Sequence, residues 1–295
     1  MEWRDSHSVK RRASVGGMRM LVVDAFTGRP FSGNPAGVCL LDAPADPAWM
    51  QRVAAEMRHS ETAFVRLLPD DPGADFELRW FTPRVEVALC GHATLAAAHA
   101  LYETGTVPAD RPIRFRTVRS GVLTVRGGAN GLLEMDFPAD PAVPVPVPEG
   151  LAAALGGAVP VWTGRNAQND LLVEVSGEET VRGLAPDIAA LAVYDARVVI
   201  VTAAAERPGA EYDFVSRVFG PRVGVDEDPV TGSAHCALAP FWSDRLRRGA
   251  LRGRQVSSRG GTVHTRLSGD RVVLAGDAVT VLEGELRSAP APATE

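Results

Sequence analysis

Apolar positions along the chain recur mostly with a period of two, broken by a few stretches of helical character. Met20–Asp24, Ala36–Leu41, Thr62–Leu67, Phe76–Phe81 and Ile113–Arg126 carry the alternating or β-branched pattern of strands. Leu171–Val175, Ala196–Val201, Tyr212–Phe219 and Val272–Leu286 repeat that pattern further along. Pro47–Met57 reads as a surface helix, because Asp46 is placed to cap it and proline occupies its first position, where no N–H is needed. Two other stretches, 91–98 and 232–239, open on glycine and continue in small residues, as helices seated deep against a sheet do. The segment Pro138–Pro148 is the candidate linker.

The chain also resembles itself. Arg79-Trp-Phe-Thr-Pro-Arg-Val-Glu-Val87 is echoed by Arg217-Val-Phe-Gly-Pro-Arg-Val-Gly-Val225, with six of nine positions identical at an offset of 138 residues. Thr27-Gly28-Arg29 has a counterpart in Thr163-Gly164-Arg165 at an offset of 136. Each long copy leads into a glycine turn, Gly91 in the first and Gly232 in the second, and the second copy reaches its glycine three residues later. A duplicated, β-rich chain with one buried helix in each half is expected.

Composition narrows the function classes. With 295 residues and 45% hydrophobic content the chain can bury two medium cores. A net charge of -5 gives no basic face, so nucleic acid is not an expected partner. No apolar run reaches the length of a membrane span, and the first 18 residues carry charge without an apolar core, so a cytoplasmic protein with a disordered leader is expected. Cys39, Cys90 and Cys236 are too few for a disulfide framework and read as free thiols.

The two glycine turns are the first candidate chemistry. The opening N–H groups of a helix lack intrahelical partners and carry the positive end of its dipole, so paired helix starts facing one cleft can cradle a carboxylate or oxyanion. His92 and Ser233 follow the two glycines and would stand at that cleft. Glu61, at a strand entrance after Arg58-His59-Ser60, is either a solvated loop carboxylate or an acid/base, and Arg197 takes its place at the offset of 136. Asp228 either caps a turn or serves as a second carboxylate that raises its neighbour's affinity for protons. A metal site is not expected: His92 and His99 would stand about 10 Å apart along a helix, and His235 and Cys236 point apart. No phosphate-binding glycine loop, dinucleotide fingerprint or nucleophile elbow is present, so no cofactor is expected.

Asp24-Ala25-Phe26-Thr27, Gly33-Asn34-Pro35-Ala36, Ser60-Glu61-Thr62, Phe81-Thr82-Pro83, Cys90-Gly91-His92-Ala93-Thr94-Leu95 and 227–235 jointly carry a resemblance to the PhzF-like family of phenazine-biosynthesis isomerase relatives, within the diaminopimelate epimerase-like superfamily. The resemblance implies an α+β fold of two pseudo-symmetric domains, each a β-barrel-like sheet around a central helix, with the site between them. The expected division is a tail at 1–18, a first domain at 19–118 completed by 281–295, and a second at 119–280. A homodimer is implied. Carried over by residue, Glu61 is similar to the proton-shuttling glutamate, His92 and Asp228 to its catalytic support, and Gly91, Gly232 and Ser233 to the residues that bind a small carboxylate substrate. The expectation is a cofactor-independent isomerase that moves a proton. The alternatives are an amino-acid epimerase or racemase using Cys90, and a binding scaffold without chemistry. The two-thiol alternative is weakened because the place corresponding to Cys90 is expected at Pro229 or Val230.

Overall fold

A computed structural model describes residues 18–128, 130–206 and 210–288. The expected tail lies outside them except for Met18, which opens the first strand, Met18–Ala25. Among the described residues, eighteen strands form one continuous mixed sheet whose pairing order runs twice. In the first half Met18–Ala25 lies antiparallel to Asn34–Leu41, which is parallel to Glu61–Leu67; that strand is antiparallel to Phe76–Phe81, which is parallel to Ile113–Arg116. Two antiparallel steps, Val122–Gly127 and Leu133–Pro138, complete it. The second half takes the same steps from Pro160–Arg165 through Leu171–Val175, Val199–Ala204, Phe214–Gly220, Ala250–Gln255 and Gly261–Ser268 to Arg271–Gly276.

The halves meet where Leu133–Pro138 pairs antiparallel with Arg271–Gly276. Each far edge is covered by chain leaving the other half: Val143–Pro144 adds to Pro160–Arg165, and Ala278–Leu286 adds to Met18–Ala25. The expected boundary at 118/119 therefore falls inside a hairpin, and pairing continues across it. Several strand expectations also change. Ile113–Arg126 is two strands around a turn that Gly121 makes at φ +68°, and Val272–Leu286 is broken at Asp277. Pro160–Arg165, Ala250–Gln255 and Gly261–Ser268 escaped the sequence reading because Thr163, Gly164, Gly253, Gln255, Gly261 and Thr265 take buried positions that apolar residues would have marked, whereas Leu133–Pro138 alternates cleanly and was readable. The surface helix Pro47–Met57 has the expected bounds, with the Asp46 carboxylate accepting from the Ala48 N–H.

Parallel neighbours require a crossover, and in each half the second parallel step is made by the glycine-led helix, Gly91–Glu103 or Gly232–Leu246. Both are apolar on nearly every side, the pattern of a helix enclosed by its sheet. Ala93, Leu95, Ala96 and Ala97 bury completely in the first, and Ala234, Ala237 and Leu238 in the second. Small side chains let the curled sheet close around each helix, and bulky ones outside, Trp49 on the surface helix and Phe64 on the strand beneath it, fill the outer layer of the first half.

The repeated R-x-F motif has a mechanical role. Arg79 donates from Nε and Nη2 to Glu86 at 2.8 and 2.9 Å and lies over the Phe81 ring; Arg217 does the same to Glu227 at 2.7 and 2.8 Å over Phe219. Each bidentate clamp holds the short strand that delivers the chain to a glycine turn, Glu86–Val87 or Val225–Asp228. The longer second strand is where the three extra residues go, and it carries Asp228.

The crossover after Leu133–Pro138 is likewise anchored. Pro240 lies inside the second central helix and has no N–H, which frees the Cys236 carbonyl four residues earlier. The Asp140 N–H donates to that carbonyl at 3.0 Å. The Asp140 carboxylate in turn accepts from the Ala167 N–H and Gln168 Nε2. The expected linker is thus a fastened strap that includes a two-residue strand.

Candidate active site

The two central helices start against each other. A Cβ built on Gly91 would meet the Cα of Gly232 at 3.7 Å, and one built on Gly232 would meet the Cα of Gly91 at the same distance. Side chains here would occupy the space between two sets of helix-start donors. The N-cap residues, Cys90 and Thr231, make no side-chain capping bond to either helix. First-turn N–H groups are thus left for another acceptor. They open on a cavity of about 500 Å³ whose lining includes Glu61, Cys90, His92, Arg197, Asp228 and Ser233.

Every site residue expected from the sequence borders this cavity. Glu61 opens the strand Glu61–Leu67, with its side chain 19% exposed. Its Oε2 stands 3.4 Å from His92 Nε2. Burial first, and then the nearby Asp228 charge, raise the Glu61 carboxyl to about 7, against a smaller opposing effect of the hydrogen bond from Cys90. Asp228 is pushed to about 6 by burial, opposed by hydrogen bonds from Thr231 and Asn34. His92 is driven down to about 3 by burial, so its contact with Glu61 is that of a neutral imidazole and not an ion pair. Two carboxyl groups poised near neutrality beside a neutral imidazole can exchange a proton with a bound ligand at physiological pH.

Asn34 ties the site together, a residue that lay within a quoted motif but was assigned no role. Its Nδ2 donates to Asp228 Oδ1 at 2.8 Å and to the Val230 carbonyl at 2.9 Å, and it approaches His92 Nδ1 at 3.3 Å. Gly33 precedes it at φ +64°, where a Cβ would lie 2.2 Å from the Ala25 carbonyl oxygen, so glycine is required for the turn that delivers Asn34. Gln255 was also missed: its Oε1 accepts from the Thr231 N–H at 2.9 Å, and its Nε2 donates to the Asp228 carbonyl at 2.6 Å. The Thr231 hydroxyl donates to the Asp228 carboxylate.

Cys90 is buried, and burial followed by the Glu61 charge raises its thiol well above the ordinary range. It is a poor thiolate, and its sulfur is 3.4 Å from His92 Nδ1. Its counterpart at the second N-cap is Thr231, one residue beyond the expected Val230. Glu61, Cys90 and His92 bring ligand-type atoms within 4.8 Å of one another, a cluster the sequence reading did not anticipate. The thiol approaches His92 Nδ1 whereas the carboxylate approaches Nε2, so the two address opposite ring nitrogens.

Across the cavity, Ser233 Oγ accepts from Arg197 Nη2 at 3.1 Å, and the same nitrogen donates to Asp170 at 2.7 Å. Three pairs of residues therefore take matching places in the two halves. Asn34, Glu61 and His92 face Asp170, Arg197 and Ser233.

The family of phenazine biosynthesis-like proteins matches residues 23–284. An uncharacterized isomerase of Halalkalibacterium halodurans is 47% identical over 266 residues, which span 90% of this chain and 97% of that one. The crystal structure of a phenazine biosynthesis protein of the PhzF family from Enterococcus faecalis superposes with a TM-score of 0.84 at 38% identity, covering 92% of this chain and 99% of that one. A hydroxyproline epimerase from Agrobacterium vitis shares the fold with a TM-score of 0.60 at 12% identity over 92% of this chain and 93% of that one.

Proposed function

The chain belongs to the phenazine biosynthesis-like (PhzC-PhzF) family and is of the isomerase class, and from that premise we propose that it moves a proton on a small carboxylate-bearing metabolite with Glu61 as the acid/base. The observation that carries this reading is the Glu61 carboxyl, raised to about 7 beside two helix starts whose donors are open. The substrate carboxylate docks between Gly91 and Gly232, with Ser233 adding a hydroxyl donor. Glu61 removes a proton from an adjacent activated carbon and returns it to another position. Asp228 keeps the Glu61 proton affinity near neutrality, and the neutral His92 meets charge that develops on the substrate.

A one-base shuttle is favoured over two-thiol stereoinversion, because the place opposite Cys90 holds Thr231, which has no thiol. Reaction in D2O of small unsaturated or amino carboxylates tests the proposal. The wild-type protein is expected to introduce solvent deuterium into its substrate, and Glu61→Gln is expected to stop it. Undiminished exchange in that variant would exclude Glu61.

A further inference from the structure

The cavity wall opposite Glu61 holds a guanidinium that the proton shuttle does not use. Arg197 stands just before the strand Val199–Ala204, in the place Glu61 takes in the other half. Asp170, only 1% exposed, holds it through Nη2, and Asp170 is itself fixed by Asn166, which donates to its carboxylate at 2.9 Å and accepts from its N–H at 2.7 Å. This arrangement locks the guanidinium before any ligand arrives. Only Nη2 is engaged. Arg197 Nε is buried and closed to a ligand, whereas Nη1 makes no hydrogen bond to any described residue and keeps accessible surface. A residue that merely neutralised Asp170 would need one nitrogen, and a lysine would suffice. Asp140, on the same cavity wall, accepts from Ala167 and Gln168 and makes no hydrogen bond to Arg197.

The guanidinium can only donate, so Ser233 Oγ must accept from it, and the serine hydrogen is left free to point at an acceptor in the cavity. One fixed aspartate thus sets the direction of the guanidinium, which keeps Nη1 as its open donor, and of the Ser233 hydroxyl beside it. A charged N–H donor of this kind suits a carboxylate oxygen.

We infer that Arg197 is a specificity-determining residue that receives a second carboxylate of the substrate, so that the substrate class is a small dicarboxylate. The inference rests on the carboxylate cradle proposed above: one acid group lies between the helix starts, and the other lies against Arg197.

Calorimetric titration with butanoate, butanedioate and pentanedioate separates the two claims, at a pH below the Glu61 value of about 7. The wild-type protein is expected to bind butanoate weakly and one of the diacids roughly tenfold or more tightly, the scale of an added charge-assisted contact. Arg197→Lys keeps a cation against Asp170 but loses the second donor nitrogen, and is expected to bind butanoate as before without preferring a diacid. The double variant Arg197→Gln with Asp170→Asn leaves no unpaired buried charge and is expected to behave the same way. A diacid preference that survives in either variant, or that is absent from the wild-type protein, overturns the assignment of Arg197. If the wild-type protein binds butanoate without preferring a diacid, the carboxylate cradle stands and only the second carboxylate falls. If it binds none of the three acids, both fall.

Discussion

Glu61 and Arg197 occupy matching places in two halves that share one pairing order, one clamp and one glycine-led helix, yet they face the cavity with opposite chemistry. On the Glu61 side the partners are a neutral imidazole, a thiol and a second carboxyl group, and every one of them is shaped by burial. On the Arg197 side a permanently charged group is neutralised by a buried aspartate and its donors are fixed in direction. The duplicated framework sets where donors and side chains stand. The residues that differ between the copies set the chemistry of each wall: one presents a carboxyl group raised to about 7 and the other a fixed guanidinium.

The sharpest way to break this comparison is to remove the proposed acid/base, Glu61. Glu61→Gln should lower turnover by about 10²–10⁴-fold, measured as product formation and deuterium incorporation, while the fold stays intact. The same variant should alter stability. The Glu61 proton affinity is raised in the folded state, so between the unfolded value of 4.5 and about 7 the folded chain holds a proton that the unfolded chain has lost, and stability falls as pH rises through that window. Glu61→Gln should flatten this slope and, above it, unfold later than the wild-type protein, by on the order of 1–3 kcal/mol.

Shared parts should respond alike in both halves. Arg79→Ala and Arg217→Ala each remove a half-buried bidentate pair and a cation–π contact, and each should cost about 2–3 kcal/mol in chemical denaturation. A loss confined to one half would mean that the clamps are not equivalent. A smaller effect is expected from Asp228→Asn, which removes a charge that raises Glu61. Its signature is a shift of the Glu61-dependent limb of the pH–rate profile to lower pH, by roughly one unit. Least of all should follow from Cys90→Ala, where turnover changes by no more than about 3-fold, the size of one weak neutral hydrogen bond. Abolished turnover there would instead favour the thiol-based epimerase.

Much of this arrangement was legible because it is local or repeated. Asp46 before Pro47 marked a helix start within the chain itself, and the small residues after Gly91 and Gly232 marked helices able to sit inside a sheet. The nine-residue echo marked both arginines, Arg79 and Arg217, but not their pairing: Glu86 lies inside the first copy, whereas Glu227 lies two residues beyond the second. Strands such as Ala250–Gln255 were not legible, because what holds them is pairing with Phe214–Gly220 and Gly261–Ser268, and glycine and glutamine take the inward positions after Leu251.

Asn34 shows the same limit at the site. It lies 194 residues from Asp228, and no local pattern marks it as the link between Asp228, Val230 and His92. Gly33 before it was the available signal, a residue needed only where the backbone turns through a left-handed conformation. Arg197 was noticed as the counterpart of Glu61, but its unused nitrogens depend on where Asp170 and Ser233 come to rest.

The sequence by itself determined the duplicated β-rich framework, the two helix starts and the residue types available for chemistry, because periodicity, caps and repeats are written in near neighbours. Only the tertiary structure decided that Gly91 and Gly232 meet, that Cys90 is a poor thiolate, and that Glu61 is raised to about 7. Those outcomes depend on burial and on charges brought together from distant parts of the chain, quantities that exist only once the sheet has closed around its helices.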